Sequence, residues 1–293
     1  MLKIVEKSKI WFSISIAIIA VGLFFMFTNG LNFGIDFKGG TVVKVDFQKE
    51  MSQDDKTEIE TIISKYCDVD DTEIRVVNKT EVELSFKADA IEKESIGALH
   101  KEIKDKFELK DDYVLSESNK GASISKELTR TAWIAVVVAT IAMLIYITFR
   151  FEFTFGVAAV IALLHDILIT LSIYAIFDVK INTPFIAAML TILGYSINDT
   201  IVVFDRVREN KNKNRKLPLN ELANNSIRQT ISRSINTSIS TLITIIILFI
   251  LVPSIREFTL PLIVGVVSGS YSSIFIASPA WVMISKKFKK AYK

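Results

Sequence analysis

Six apolar stretches, each long enough to cross a bilayer, constrain this chain more than any other feature of its sequence. They fall at residues 10–27, 132–149, 155–177, 183–204, 235–252 and 259–284. A membrane span needs roughly 20 mostly apolar residues. Lipid offers nothing to an unpaired N–H or C=O group, so such a stretch must be helical. Lys3, Lys7 and Lys9 precede the first stretch, which is longer than the apolar core of a cleaved leader and is followed by no Ala-x-Ala site. It therefore reads as a retained helix.

Positive charge sets the expected orientation. Arg150 lies between the second and third spans, and Arg206, Arg208, Lys211, Lys213, Arg215 and Lys216 lie between the fourth and fifth. Lys286, Lys287, Lys289 and Lys290 close the chain. With six spans these groups and the basic N-terminus share one side, which is then cytoplasmic, while the loops at 178–182 and 253–257 carry little positive charge. The expected location is a bacterial-type cytoplasmic (inner) membrane. Expected domains are a cytoplasmic N-terminus with the first span (1–30), an extracytoplasmic domain (31–128), five further spans (129–285) and a basic cytoplasmic tail (286–293).

Between the first two spans the pattern changes. Residues 41–47, 73–77, 81–86 and 113–117 read as strands, and residues 53–65 and 90–107 as amphipathic helices. Ser52 is the expected N-cap of the first helix. The order β-α-β-β-α-β is the ferredoxin-like arrangement, so the fold class is a polytopic α-helical membrane protein with an inserted α+β domain. No nucleophile, metal cluster or phosphate loop stands out. The single cysteine, Cys67, permits no internal disulfide, and two histidines exclude a histidine-rich metal site. The chain is expected to be neither an enzyme nor dependent on a cofactor.

Ionisable groups inside spans cost on the order of 3 kcal/mol each and ordinarily face the bundle interior or a pathway. The third span holds His165 and Asp166 near its middle. The fourth holds Asn198 and Asp199, with Tyr195 and Thr191 one and two turns earlier. The fifth opens with Arg233 and continues with Asn236, Thr237, Ser240, Thr241 and Thr244 on one stripe. These hydroxyls suit either a pathway lining or hydrogen bonding between helices, and Arg233 either functions there or snorkels to the interface. Asp199 is the strongest functional candidate and Asp166 the next. Gly265, Gly269 and Ser273 recur every four residues in the sixth span, with Ser268 and Ser272 alongside, and mark a close-packing face. Asp36, Gly39 and Gly40 form a rigid turn after the first span.

These residues resemble the SecF family. Gly34-Ile35-Asp36-Phe37-Lys38-Gly39-Gly40 is similar to its glycine-pair motif, and the stretch from Gly194 through Asn198-Asp199-Thr200 to Asn210 is similar to its longest signature. Ser232-Arg233-Ser234-Ile235-Asn236-Thr237-Ser238 and Ser270-Tyr271-Ser272-Ser273 fit its fifth and sixth spans. The resemblance implies half of a resistance–nodulation–division-type membrane unit. It also implies an accessory role in Sec protein export driven by the proton-motive force, with SecD, the SecYEG translocon, unfolded preprotein and the lipid bilayer as partners and no nucleic acid. It assigns ion coupling to Asp199 and Arg233; Asn198 and Asp166 are further ion-coupling candidates from their place within the spans, and the resemblance carries no role over to His165-Asp166. The turn at 252–256 lacks the glycine pair often found there, and nothing resembling SecD is present. The rivals are half of a small-molecule exporter of the resistance–nodulation–division type and a passive membrane scaffold or chaperone.

Overall fold

The computed structural model describes residues 3–88, 90–150, 152–214 and 216–291. Arg215 and the last two residues of the basic tail lie outside them. In chain order the elements are α1 (Ser8–Thr28), α2 (Ile35–Lys38), β1 (Gly40–Asp46), α3 (Gln53–Ile63), β2 (Thr72–Asn78), β3 (Glu81–Phe86), α4 (Lys93–Phe107) and β4 (Val114–Lys120). The helices α5 (Ala122–Arg150), α6 (Phe153–Ile176), α7 (Thr183–Lys213), α8 (Leu219–Leu251), α9 (Arg256–Ser272) and α10 (Ser278–Ala291) follow. Two compact units result, Phe33–Ala132 and Met1–Asn32 with Trp133–Lys293.

The first unit is the ferredoxin-like domain. Its sheet has the order β2-β3-β1-β4, with every neighbouring pair antiparallel. Alternation along β1 and β3 sends Val43, Val45, Val82, Leu84 and Phe86 to one face, where Ile59, Ile62 and Ile63 of α3 and Ile96, Leu99 and Ile103 of α4 cover them. Complete burial of such a side chain contributes about 1.5–3 kcal/mol. Helix α3 starts on a capping box: Asp55 N–H donates to Ser52 Oγ at 3.1 Å, and Ser52 N–H to Asp55 Oδ2 at 2.9 Å. Lys49 donates to the other carboxylate oxygen at 2.6 Å. Hydrogen bonds from Lys49 and Ser52 hold the Asp55 carboxyl down at about 2. Strand β4 runs on to Lys120 because its backbone pairs with β1 as far as Gly40. Its exposed side chains Ser116, Glu117, Ser118 and Asn119 carry no apolar alternation, so its length is invisible in the hydropathy. The turn into β1 needs glycine: Gly39 has φ 79° and Gly40 φ 132°, and a Cβ on Gly40 would lie 2.1 Å from the Phe86 carbonyl oxygen.

The second unit is a helical bundle with six helices long and apolar enough to span a membrane, the sixth formed by α9, a π turn at Ser273–Ala277 and α10. Half or more of the apolar stretch is buried in the third, fourth and sixth spans, against 6–17% in the first, second and fifth. The centre is therefore α6, α7 and α9–α10, and the peripheral helices α1, α5 and α8 turn broad apolar faces outward. Helices α7 and α8 run well past their apolar stretches, so the basic connection between them is mostly helix. Lys211 pairs there with Glu152 at 2.7 Å, and Arg206 with Glu209 at 2.7 Å. Two contacts set the packing. Along the sixth span, Gly265 lies against Ile192, Gly269 against Ser196, and Ser273, the first residue of the π turn, hydrogen-bonds Thr200 at 2.9 Å, so positions four apart on this span meet positions four apart on α7. On α1, Ser15 meets His165 and Gly22 meets Ser172, seven apart on both helices. Both registers run parallel, as they must between spans crossing in the same direction.

A Cβ on Gly265 would come within 2.3–2.6 Å of three carbons of Ile192. Gly265→Val is expected to destabilise the bundle by about 1–3 kcal/mol, and Ile192→Ala in the same chain is expected to restore part of it, measured by thermal unfolding in detergent. In the inserted domain Ser52→Ala should lower hydrogen-exchange protection of α3 by about 1 kcal/mol. The Asp55 contribution is complete above about pH 4, the unfolded carboxyl range, and is lost as pH falls toward about 2. Wild type and Asp55→Asn should therefore differ at neutral pH and converge in acid.

Candidate functional site

Asp166, on the central helix α6, is fully buried. A buried carboxylate is tolerable only where donors replace its water. Its Oδ2 accepts from Ser196 Oγ of α7 at 2.6 Å and from Ser272 Oγ of α9 at 2.8 Å. Its Oδ1 accepts from Ser268 Oγ of α9 at 2.6 Å and faces His165 Nδ1 at 3.0 Å. Four donors fill the roughly four lone-pair sites that a carboxylate offers. They come from three helices, so Asp166 joins α6, α7 and α9 through side-chain hydrogen bonds inside the bundle. Such charge-assisted bonds are about twice as strong as neutral ones.

The other ring nitrogen of His165, Nε2, lies 2.8 Å from Ser15 Oγ of α1. Serine, histidine and aspartate thus stand in the order of a hydrolase triad. Ser15, however, is buried inside a helix, where backbone N–H groups are spent on carbonyls one turn back. An oxyanion hole needs such donors free, so the geometry does not support acyl chemistry. Tyr271 stacks on His165, with ring centroids 5.8 Å apart, and its hydroxyl donates to the Trp11 carbonyl at 2.9 Å. Among the described residues no group of three or more His, Cys, Asp and Glu side chains is placed to hold a metal ion.

Asp199 on α7 is also buried but is held differently. Among the described residues its one hydrogen bond comes from Ser238 Oγ of α8 at 3.4 Å. That hydroxyl has one proton and a closer acceptor, the Ser234 carbonyl at 2.8 Å. Ser270 of α9 lies 2.5 Å from Ser238 Oγ and 2.7 Å from the Val266 carbonyl, and the buried Ser234 hydroxyl has no hydrogen-bond partner among the described residues. Loss of charge at Asp199 therefore disrupts one long hydrogen bond, whereas at Asp166 it displaces short ones. Arg233 is exposed on α8, and no ion pair within 4 Å joins it to Asp199 among the described residues. Asn198 is exposed on the next face of α7. Asp166 and Asp199 thus belong to separate clusters, and neither cluster contains Arg233 or Asn198.

The polar stripe of α8 is not buried within this chain. Asn236, Thr237, Ser240 and Thr244 are exposed, and the hydroxyls at 237, 240, 241 and 244 return to carbonyls four residues back at 2.8–3.2 Å. One link leaves the stripe, Tyr195 Oη to Thr241 Oγ1 at 3.1 Å. The buried side of α8 carries Ser234 and Ser238 instead. Sequence reasoning assigned no role to Ser15, Ser196, Ser234, Ser238 or Ser270, and saw in Ser268 and Ser272 only part of a packing face. The signal for the last two was present: serines four apart in an apolar span that also needs a donor set for a carboxylate elsewhere.

Asp166→Asn places two N–H donors where hydroxyls donate. It is expected to destabilise the bundle by about 3 kcal/mol or more, while Asp199→Asn should cost under about 1 kcal/mol. Thermal unfolding of the two variants in lipid bicelles checks the difference.

Comparison with known proteins accords with this geometry. Residues 99–287 match the family profile described as protein export membrane protein SecD/SecF, C-terminal, a range that takes in Asp166, Asp199 and Arg233. Residues 24–51 match the SecD/SecF GG motif, which takes in Asp36, Gly39 and Gly40. The chain is 40% identical over 297 residues to the protein translocase subunit SecF of Sebaldella termitidis, covering 100% of this chain and 94% of that one. It is 35% identical to the SecF subunit of Petrotoga mobilis, covering 99% and 98%. The crystal structure of SecDF from Thermus thermophilus, a translocon-associated membrane protein, superposes with a TM-score of 0.87 at 33% identity, over 99% of this chain. A SecDF structure in a super-membrane-facing form gives 0.71 at 32% identity. This chain spans 39% of the first solved chain. A multi-pass membrane chain with this bundle, this inserted domain and this match along its whole length belongs to the SecF family of protein export membrane proteins.

Proposed function

We propose that this chain is an accessory subunit of Sec protein export that, together with SecD, uses the proton-motive force to promote preprotein translocation across the cytoplasmic membrane. Both termini are then cytoplasmic and the ferredoxin-like domain is extracytoplasmic, beside the SecYEG translocon and the emerging unfolded chain. The observation that carries the ion-coupled reading is the state of Asp199: a carboxyl buried in a membrane span with a single 3.4 Å hydrogen bond. Such a group can gain and lose a proton without dismantling a network.

The exposed stripe beside it supports a second membrane subunit. Arg233, Asn236, Thr237, Ser240 and Thr244 of α8 and Asn198 of α7 present polar side chains that lipid would solvate poorly. A SecD bundle would cover them and enclose a wet seam. The solved SecDF chain is long enough to supply that bundle, since this chain accounts for 39% of it. In the seam, a changing Asp199–Arg233 separation ties protonation to helix movement. One charge moving through 100 mV is worth about 2.3 kcal/mol, enough to bias a two-state motion of the inserted domain and to limit backsliding of the preprotein. Sodium would suit the same carboxylate, amide and hydroxyl oxygens.

The scaffold reading has one observation in its favour: every exposed hydroxyl at 237, 240, 241 and 244 is already satisfied on its own helix. Translocation into inverted vesicles containing SecD and this chain separates the readings. Asp199→Asn is expected to remove the gradient-dependent part of translocation, at least tenfold, and to leave the gradient-independent part intact. An equal response of wild type and variant to the gradient would establish the scaffold reading instead.

A further inference from the structure

We propose that His165 Nε2 is a second proton-binding site of the bundle, and that filling it loosens helix α1 from α6 and α9. Asp166 accepts at both oxygens, and His165 Nδ1 faces one of them at 3.0 Å, so Nδ1 carries a hydrogen. The tautomer is thereby set, and Nε2 is the nitrogen free to change. It faces Ser15 Oγ at 2.8 Å.

The Ser15 hydroxyl has one hydrogen to place. A serine in a helix ordinarily sends it to the carbonyl four residues back, which here belongs to Trp11. That oxygen is already occupied: it accepts the helix N–H of Ser15 by α-helical geometry and the Tyr271 hydroxyl at 2.9 Å. Ser15 is buried and makes no other side-chain hydrogen bond among the described residues. Its hydrogen therefore goes to Nε2, which accepts it.

A proton arriving at Nε2 leaves two hydrogens facing each other across 2.8 Å. The new N–H must donate, so Ser15 must turn and send its own hydrogen elsewhere. The Trp11 carbonyl can take it only if Tyr271 lets go. Either Tyr271 of α9 releases the Trp11 carbonyl, or Ser15 turns to the Phe12 carbonyl three residues back and its contact with α6 is remade. The filled site is nonetheless well provided for: Asp166 neutralises the imidazolium, and the Tyr271 ring stacked on it offers a π face to a cation. The titratable groups around the ring are Asp166 on its own helix and Tyr271 on α9. Helix α1 contributes Ser15, and α7 contributes Ser196 to Asp166. Histidine is the side chain that ordinarily changes charge between about pH 5 and 8, and the hydrogen-bond networks of His165 and Asp199 share no side chain among the described residues. The inference therefore stands whether or not Asp199 couples ion flow to export.

The chain has two histidines, His100 and His165, so His100→Gln leaves one ring to observe. With 15N-histidine in the full chain, reconstituted with SecD in liposomes, solid-state NMR should show one protonated and one bare ring nitrogen at about pH 8. The bare one should fill as pH falls toward about 5. Spin labels at Phe24→Cys on α1 and Phe177→Cys beyond the end of α6, both exposed positions, are placed in a Cys67→Ser background. Their separation should change over the same pH range, and the change should vanish in His165→Gln. With Ser15→Ala the ring should still titrate while the separation no longer follows it. A ring nitrogen protonated at every pH, one bare throughout, or a separation that ignores pH or responds equally in His165→Gln would overturn the proposal.

Discussion

A buried carboxylate organises this bundle. Asp166 must be given donors wherever it sits, and the fold gives it serines from the two helices flanking α6 together with its own neighbour His165. Ser268 and Ser272 bring α9 close, and the glycines between and before them let it approach α7 at Ile192 and Ser196. The small residues and the polar residues of the last span therefore serve one end. Glycine removes side-chain bulk so that hydroxyls one turn away can reach the charge. The arrangement is over-determined, and α6, α7 and α9 form the most buried part of the unit.

Against that centre, the second carboxylate stands out by its poverty. Asp199 has nearly the burial of Asp166 and almost none of its hydrogen bonding. A buried acid with so few donors loses little hydrogen bonding when it is neutralised, and the proposed ion coupling rests on that contrast. The distinction lies in the two donor sets and not in depth or residue type. Helix α8 shows the same contrast: its inward Ser238 meets α7 and α9, while among the described residues its outward polar stripe reaches another helix through Thr241 and Tyr195 alone.

The six spans were legible because apolar length alone decides them, and the inserted domain was legible from alternation and from the Ser52 cap. The glycine repeat of the last span was likewise readable, since few other arrangements explain small residues every fourth position. The donor sets were not. Ser15 lies 150 positions from His165, and nothing in an apolar span marks which of its serines will face a carboxylate on another helix. Hydropathy also understated α7 and α8, whose last and first turns are charged and polar yet remain helical. Nor does it register the π turn at Ser273–Ala277, where an extra residue in the turn alters which side chains face inward. Backbone geometry of that kind comes from packing and leaves no periodic trace.

The inserted domain has a mechanical property that follows from its topology. The chain enters at Gly40 and leaves at Lys120, and these two residues are paired across neighbouring antiparallel strands. Tension applied through the two connections therefore falls on that end of the sheet and peels β1 from β4 one hydrogen bond at a time. A shearing load would instead be shared by the whole ladder. Peeling needs little force, so the domain is a soft element when its two tethers are drawn apart and a stiff one when they travel together. It can transmit motion only as a passenger carried by both connections at once.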